Sequence, residues 1–226
     1  MDQGLGGKVI EEILPADVTS TDAFDDDLGI HLFAEERAAI VHAVPRRRRE
    51  FSTVRRCARV ALGELGIPPS PLLPGEQRDP QWPAGVVGSM THCPGYRAAA
   101  VARASRIHSV GIDAEEAASL PDGVLDNVGL PAERDMVERF SAQSDAVPWD
   151  RLLFSCKEAV FKTWFPLTRR MLGFDGARIE IDSSGLFSAR FLVPPPLAAG
   201  KPVPRLMGRW MHRDGLILTA ITVPRR

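Results

Sequence analysis

The chain has 226 residues and a formal net charge of −1, with 44% hydrophobic and 25% charged residues. These proportions are typical of a folded globular protein with one large core or two packed halves. The near-neutral net charge excludes a general electrostatic attraction to nucleic acid or membranes, so any electrostatic function must be local. No apolar run of about 18 residues predicts a membrane span, and the N-terminus lacks the pattern of a secretion signal. Because the three cysteines form no CxxC pair, we expect a cytoplasmic protein without a disulfide framework or zinc site.

The first third of the chain predicts two helices and an irregular loop. Residues 1–30 are acidic and predict irregular structure, and a helical pattern follows at 32–44. Over 46–65, apolar residues recur every three or four positions, which predicts an amphipathic helix that ends before Gly66. The proline-rich segment 67–85 excludes a regular helix.

The remaining chain predicts strands and helices in irregular alternation. Three strands precede three helices, and four strands end the chain: strands 86–92, 98–104 and 108–115, helices 121–128, 131–141 and 149–165, and strands 177–182, 186–193, 206–212 and 216–223. The dipeptides Pro-Gly at 94–95 and Asp-Gly at 214–215 are typical of tight turns. We expect Pro166 to end the last helix. The pattern predicts an α+β fold with two halves, 1–105 and 106–226.

Two carboxylates stand at the end of the third predicted strand. Residues two apart in a strand point to the same face, so Asp113 and Glu115 project side by side. Like charges at this spacing repel each other unless a hard cation bridges them, and Mg²⁺ prefers carboxylate and phosphate oxygens. The alternative is a strand that runs out into a solvated acidic loop, since Glu116 continues the charge.

The helix predicted at 149–165 carries a second charged pair. Glu158 and Lys162 are four residues apart, on one face of the helix. The simple interpretation is a surface ion pair worth less than ~0.5 kcal/mol. Bulky neighbours such as Phe161 and Trp164, however, leave few faces of this helix exposed. Glu158 is therefore a candidate third metal ligand, and Lys162 a candidate for stabilising a phosphate or leaving group.

Small hydroxyl residues and a histidine end the strand predicted at 86–92. Ser89 and His92 stand just before the turn at 94–95, where their side chains are able to donate hydrogen bonds to phosphate oxygens. The alternative for a single histidine is a purely structural role.

Arginines dominate the start of the helix predicted at 46–65. Four consecutive arginines occupy positions 46–49, and Arg55 follows on the same helix. A cationic helix start adds side-chain charge to the positive end of the helix dipole, which suits an anion. The alternatives are a solvated basic face and nucleic-acid binding. A single tyrosine, the lack of a zinc pattern and the near-neutral total charge count against nucleic acid.

In their order along the chain, these motifs resemble those of the Sfp-type 4′-phosphopantetheinyl transferases. They read R-x-x-E-F-x-x-x-R from Arg47, P-x-W-P-x-G-x-x-G-S-x-T-H-C from Pro80, G-I-D-x-E from Gly111 and W-x-x-x-x-F-x-x-K-E-A-x-F-K from Trp149. The closest resemblance is to the branch that contains the enterobactin-synthetase component and its actinobacterial relatives. It extends from Arg47 to Phe174, and the ordered combination is far more specific than any single motif.

The resemblance implies a pseudo-twofold monomer of two similar α+β halves, with coenzyme A bound in the cleft between them. Such enzymes transfer the 4′-phosphopantetheine arm of coenzyme A to a serine hydroxyl of an acyl, aryl or peptidyl carrier protein. The cofactor implied is Mg²⁺, with Mn²⁺ as an alternative, and the second product is adenosine 3′,5′-bisphosphate. No nucleic-acid or membrane partner is implied. The sequence leaves open whether the carriers serve fatty-acid, polyketide, non-ribosomal peptide or siderophore synthesis.

Position by position, the resemblance implies the residues that carry out the reaction. Asp113, Glu115 and Glu158 match the Mg²⁺ ligands of the family. Lys162 and His92 match residues near the reacting phosphates. A general base must accept the serine proton, and Glu158 is our first choice for it, with Glu115 second.

The resemblance also implies a coenzyme A site. The residues that match it are Arg47, Arg55, Ser89, His92, Lys157 and Lys162. Two departures from the family pattern stand out. Pro74 occupies a position that is often basic in close relatives, so we expect Arg78 to replace that contact only in part. Cys156 stands where the family helix often has alanine, a change that we expect to be tolerated. Carrier docking is expected at a basic or apolar rim of the C-terminal half.

Two other functions stay open from the residues alone. A different Mg²⁺-dependent nucleotide phosphotransferase or hydrolase would use the same carboxylates without a protein acceptor. A nucleic-acid-binding module would depend on the arginines at 46–49 and would not depend on Asp113.

Overall fold

The computed structural model describes residues 9–26 and 29–225. Within them the chain is α+β, which confirms the predicted fold class. The helices are a 3₁₀ helix (Ile10–Ile13), α1 (Ala34–Ala39), α2 (Pro45–Glu64), α3 (Val124–Val128), α4 (Pro131–Gln143) and α5 (Trp149–Thr168). The strands are β1 (Val18–Ala23), β2 (Val86–Cys93), β3 (Tyr96–Arg103), β4 (Ile107–Glu116), β5 (Ala177–Asp182), β6 (Leu186–Phe191), β7 (Leu197–Ala198), β8 (Lys201–Pro202), β9 (Arg205–Arg213) and β10 (Leu216–Pro224). In this described part, no helix combines the length and apolarity that crossing a membrane requires.

A three-stranded antiparallel sheet in the order β1-β3-β2 carries α2 on one face. The helix begins at Pro45, whose fixed φ and missing N–H suit the first helical position. Ala58 and Ala61 are fully buried in one cluster with Ala99 and Val101 of β3. Because these side chains are small, the helix packs close to the sheet.

A five-stranded antiparallel sheet in the order β4-β10-β9-β6-β5 carries α5. Apolar side chains of α5, including Leu152 and Trp164, pack in one cluster with Ile179 and Phe187 of this sheet. The predicted turn at 214–215 connects β9 to β10. Both of its residues have positive φ, 52° and 75°, as a type I′ hairpin requires.

The two sheets meet where β2 lies beside β4. The Oγ of Ser89 accepts a hydrogen bond from the N–H of Ile112 at 3.1 Å, and Oγ1 of Thr91 accepts one from the N–H of Ala114 at 3.0 Å. From the first bond to the second, the residue number increases by two on both strands, so the strands run parallel here. Behind them the sheets share one apolar core that includes Ala98, Ala100, Val110, Ile112, Ala114, Leu218 and Ala220. Side-chain hydroxyls therefore join β2 to β4.

The N-terminal region is more ordered than the sequence predicts. The described part of 1–30 contains the 3₁₀ helix and β1, because β1 pairs with β3 along its whole length. This pairing joins residues that are far apart in the chain. Because most side chains of β1 are polar, its sequence does not show the hydrophobic pattern that predicts a strand. The helix predicted at 32–44 is limited to α1, since the chain turns before Pro45 begins α2.

Pro166 does not end α5, so that prediction is wrong. The helix continues to Thr168 and closes at Arg169, which adopts a left-handed conformation. Trp164, in the same turn, is 1% exposed. Packing of this turn outweighs the one backbone hydrogen bond that a proline cannot donate.

Candidate active site

Strand β4 presents two carboxylates to α5. Asp113 and Glu115 contact side chains of α5, whereas Ile112 and Ala114 alternate with them and lie in the core between the sheets. The alternation matches the spacing seen in the sequence. Asp113 is 4% exposed, so its negative charge requires partners within the protein.

Gly111 allows α5 to approach this strand. A Cβ at position 111 would lie 2.2 Å from the carbonyl oxygen of Ala159 and 2.2 Å from Oγ1 of Thr163. No side chain is accommodated at such distances, so the close approach requires glycine. The hydroxyl of Ser109 donates to the carbonyl of Thr163 at 2.8 Å and fixes the helix along the strand.

Side chains from β2 and α5 hold the Asp113 carboxylate. Nζ of Lys162, on α5, lies 2.7 Å from Oδ1. The hydroxyl of Thr91, on β2, donates to the same oxygen at 3.2 Å. The hydroxyl of Ser155, also on α5, donates to Oδ2 at 2.9 Å. Asp113 is thus the point at which β2, β4 and α5 meet.

Glu115 lies near the end of β4 and pairs with Arg151 of α5. Nη1 of Arg151 is 3.0 Å from Oε2 of Glu115, and the guanidinium also donates to the carbonyls of Ala118 and Ser119. Burial, followed by the negative charge of Asp113, raises the pKa of Glu115 to about 7, and Arg151 opposes this shift. A cation bound beside these carboxylates would relieve their repulsion.

Glu158 stands at the wall of a mainly apolar cavity. Burial raises the pKa of Glu158, while the charge of Lys162 opposes the shift. The cavity has a volume of about 270 Å³ and is lined by α5 and the segment after it, through Lys157, Glu158, Val160, Phe161, Met171, Leu172, Gly173, Phe174 and Ala177. A cavity of this kind beside charged groups suits a ligand with a largely uncharged arm and an anionic end.

Arg47 and His92 form a second polar cluster. Nη1 of Arg47 lies 2.6 Å from Nε2 of His92, and a carboxylate oxygen of Glu50 lies within 4 Å of both side chains. Burial, followed by the positive charge of Arg47, lowers the pKa of His92. This favours the neutral imidazole, which accepts a hydrogen bond from the guanidinium.

Comparison with known proteins identifies the family. Residues 35–102 match the 4′-phosphopantetheinyl transferase N-terminal domain, and residues 109–201 match the 4′-phosphopantetheinyl transferase superfamily. The 4′-phosphopantetheinyl transferase Svp of Streptomyces mobaraensis is 55% identical over 204 residues, which cover 90% of this chain and 82% of that protein. The chain belongs to the 4′-phosphopantetheinyl transferase superfamily.

Two further relatives agree with the resemblance seen in the motifs. The 4′-phosphopantetheinyl transferase PptT of Mycobacterium tuberculosis is 47% identical over 227 residues, covering 96% of this transferase and 99% of that protein. Enterobactin synthase component D of Salmonella typhi is 29% identical over 180 residues, covering 78% and 72%. The predicted membership, and with it the identification as an enzyme, is confirmed.

Two residues predicted to bind coenzyme A have their side chains engaged within the transferase. Ser89 bonds to β4 as described above. Arg55 is 6% exposed, stacks 3.1 Å over the ring of Phe51 and donates to the carbonyl of Leu72 at 2.9 Å. Both side chains are therefore engaged in contacts within the protein, and contact with coenzyme A stays a prediction for them.

Lys157 and Arg78 differ in their surroundings. Nζ of Lys157 lies 2.8 Å from a carboxylate oxygen of Glu133 and donates to the carbonyls of Phe174 and Ala177. These three contacts use all the donors of the ammonium group, and the structure does not bring it onto Asp113. Arg78 is exposed in the proline-rich loop. Coenzyme A binding by either residue stays a prediction.

The sequence predicted no contact with Asp113 for three hydroxyl residues that lie near it. Thr91 lies two residues after Ser89, and Ser155 precedes Glu158 by one helical turn, so their spacing carried a weak signal. Thr219 lies directly opposite Asp113 in the ladder between β10 and β4. No local pattern reveals such a pairing, because the two residues are far apart in the chain.

Proposed function

We propose that this transferase holds Mg²⁺ with Asp113, Glu115 and Glu158 and transfers phosphopantetheine from coenzyme A to a serine of a carrier protein. The observations that carry the proposal are the Asp113–Lys162 ion pair at 2.7 Å, within electrostatic range of the carboxyls of Glu115 and Glu158, and the mainly apolar cavity that Glu158 lines. Membership of the superfamily supplies the class of reaction. The second product would be adenosine 3′,5′-bisphosphate.

The donor chemistry of the site fits a hard divalent cation. Across the described residues, no His, Cys, Asp or Glu side chains form a ready cluster of three. Instead, Lys162 neutralises Asp113, and Arg151 neutralises Glu115. Burial nevertheless raises the pKa of Glu115 and of Glu158, and a bound cation would favour the ionised form of both carboxyls. Carboxylate oxygens together with phosphate oxygens are the ligands that Mg²⁺ prefers, and Mn²⁺ accepts the same donors.

In this proposal, one part of coenzyme A lies in the cavity and another part contacts the cationic groups. The mainly apolar cavity beside Glu158 suits the pantetheine arm, which is long and uncharged. Lys162 lies where it is able to meet the diphosphate, and Arg47 with His92 supplies donors for a further phosphate. When bound, the metal would neutralise charge that develops on the phosphate oxygens.

The proposed transfer forms one bond and breaks one. The serine oxygen attacks the phosphorus that bears the pantetheine arm, and the bond from that phosphorus to the bridging oxygen breaks. The serine proton passes to Glu158, whose burial makes its carboxylate a stronger base than that of an exposed glutamate, while adenosine 3′,5′-bisphosphate leaves. Glu115 is the second choice, because Arg151 already holds one of its oxygens. Lys162 stabilises the charge of the departing phosphate.

We infer that the transferase works as a cytoplasmic monomer on acyl, aryl or peptidyl carrier proteins, with a basic or apolar rim of residues 106–226 as the docking surface. Enterobactin synthase component D of Salmonella typhi, by its name, belongs to a synthase, which supports carriers of a similar pathway. The name does not distinguish siderophore carriers from those of polyketide, peptide or fatty-acid synthesis.

Mass spectrometry of apo-carrier proteins tests this function. We expect incubation with the transferase, coenzyme A and Mg²⁺ to add the mass of one phosphopantetheine group, and chelation of the metal to prevent it. Asp113→Ala and Glu158→Ala should each lose at least ~100-fold in rate while remaining folded. Glu138→Ala, an exposed carboxylate on α4, is the matched control. Full turnover by both site variants would contradict the metal site, and nucleotide hydrolysis without modification of any carrier would favour the alternative hydrolase.

A further inference from the structure

Two buried hydroxyl groups stand behind the Asp113 carboxylate. Thr219, its cross-strand partner on β10, places Oγ1 2.9 Å from Oγ of Ser155. Oγ of Ser155 in turn lies 2.9 Å from Oδ2 of Asp113. Thr219 and Ser155 are both 0% exposed, so water does not compete for these hydrogen bonds.

The number of hydrogens fixes the direction of this chain of hydroxyls. Each hydroxyl has a single hydrogen, and an ionised carboxylate only accepts. Ser155 donates its hydrogen to Asp113, so its oxygen is left to accept from Thr219. The alternative acceptor for Thr219 is the carbonyl oxygen of Ser155 at 3.1 Å, which belongs to the same residue. In either arrangement Thr219 donates a hydrogen bond to Ser155, and Ser155 donates one to Asp113.

The hydroxyl of Thr219 restricts the rotation of the Ser155 side chain. A serine inside a helix tends to turn its hydroxyl back to the carbonyl four residues earlier, here that of Arg151. An acceptor or donor on β10 opposes this rotation and keeps the serine hydroxyl aimed at β4. Hydrogen bonds in such a chain also polarise one another in a buried site.

We propose that Thr219 is a positioning residue for phosphopantetheine transfer: through Ser155 it holds Oδ2 of Asp113 and leaves Oδ1 directed at Lys162, an orientation in which Asp113 would hold the proposed metal. This inference rests on the proposed function. Residues whose hydrogen bonds support a metal ligand orient that ligand and tune its affinity for the metal. The proposal assigns a role in the reaction to a strand that contributes none of the predicted site residues.

The matched control is Thr163, another fully buried threonine at the contact of α5 with β4. Its hydroxyl donates to the carbonyl of Ala159 at 2.8 Å and, among the described residues, makes no hydrogen bond to Asp113. Replacing either threonine with valine removes one buried hydroxyl at nearly constant volume. A general effect of losing a hydroxyl would therefore be shared by both variants.

Titration with Mn²⁺ in the presence of coenzyme A, followed by the electron paramagnetic resonance signal of the free ion, measures metal binding without turnover. We expect Thr219→Val to weaken Mn²⁺ binding by about 10-fold. Thr219→Ser should restore the wild-type affinity because it restores the hydroxyl. Thr163→Val should leave the affinity unchanged, and melting temperatures identify any shared loss of stability.

Equal Mn²⁺ affinity in Thr219→Val and the wild type would overturn the positioning role while leaving the proposed function intact. An equal loss in Thr163→Val would also overturn it, since the effect would then be structural. Failure of the wild-type transferase to bind Mn²⁺ with coenzyme A present would contradict the metal site itself. The three results are distinct, so the two proposals fail separately.

Discussion

Asp22 and Asp113 are both almost fully buried carboxylates, yet their partners differ in charge. Asp113 has Lys162 at 2.7 Å. Among the described residues, Oδ2 of Asp22 accepts from neutral donors alone, the N–H groups of Val9 and Ile10 and the hydroxyl of Tyr96. Within the described residues, Oδ1 of Asp22 is buried without a hydrogen-bond partner. Burial consequently raises the pKa of Asp22, although these hydrogen bonds oppose the shift.

The raised pKa makes the free energy of unfolding depend on Asp22 and pH. A carboxyl with a folded pKa above its unfolded value binds more protons in the folded state, so stability falls as pH rises between the two values. We expect the wild type to lose stability relative to Asp22→Asn from about pH 4 upward through the folded pKa. Urea unfolding of both proteins at a series of pH values measures this difference. The exposed Asp25→Asn is the control, and a constant difference between wild type and Asp22→Asn would refute the prediction.

At the scale of elements, the contact of β4 with α5 sets the geometry of the site. Asp113 and Glu115 come from the strand, and Glu158 and Lys162 come from the helix, so their spacing depends on how closely the two elements pack. Gly111 sets that distance, because its missing side chain admits the helix backbone. We therefore expect Gly111, which has no functional group, to influence the geometry of the proposed site.

Gly111→Ala should separate the strand from the helix. The new Cβ would overlap the carbonyl oxygen of Ala159, and overpacking of this kind costs about 1–3 kcal/mol. We expect a lower melting temperature together with weaker Mn²⁺ binding and slower transfer to a carrier protein. The control is Gly63→Ala on α2, where a Cβ meets no atom within 4 Å and a helical alanine should add about 0.5–1 kcal/mol. Unchanged metal binding in Gly111→Ala would show that the contact does not set the site.

At the scale of the whole molecule, the two sheets depend on each other. Apolar side chains of β1 and β3 share one core with side chains of β4 and β10, and Ser89 and Thr91 bond across the same junction. The carboxylates lie on one side of this junction, and Arg47 with His92 lies on the other. Both sheets are therefore needed to bring these groups together.

A fragment of residues 106–226 should not fold cooperatively by itself. Separation would expose Val110, Ile112 and Ala114, which are at most 1% exposed in the intact chain, and would lose the burial that stabilises them. Thermal unfolding monitored by near-ultraviolet circular dichroism should show no sharp transition for the fragment. Coexpression with residues 1–105 should restore the transition and activity, and a cooperative transition in the isolated fragment would contradict this view.

Sequence patterns predicted much of the fold and selected the carboxylates and the lysine of the proposed site. The helix at α2 follows from its apolar periodicity, and the type I′ turn follows from Asp214 and Gly215. The spacing of Asp113 and Glu115 placed both on the face that meets α5. Where prediction failed, a distant contact decided the outcome: β1 is a strand because β3 pairs with it, and α5 passes Pro166 because Trp164 is buried.

The sequence by itself determined the family, the α+β class and the kinds of functional group in the proposed site, because these depend on residue identity and on short spacings. Only the tertiary structure decided which side chains reach the carboxylates. Thr219 meets Asp113 because β10 pairs with β4, and Lys157 pairs with Glu133 because α4 packs beside α5. Such contacts follow from long-range packing, where the burial of apolar surface decides which distant segments become neighbours.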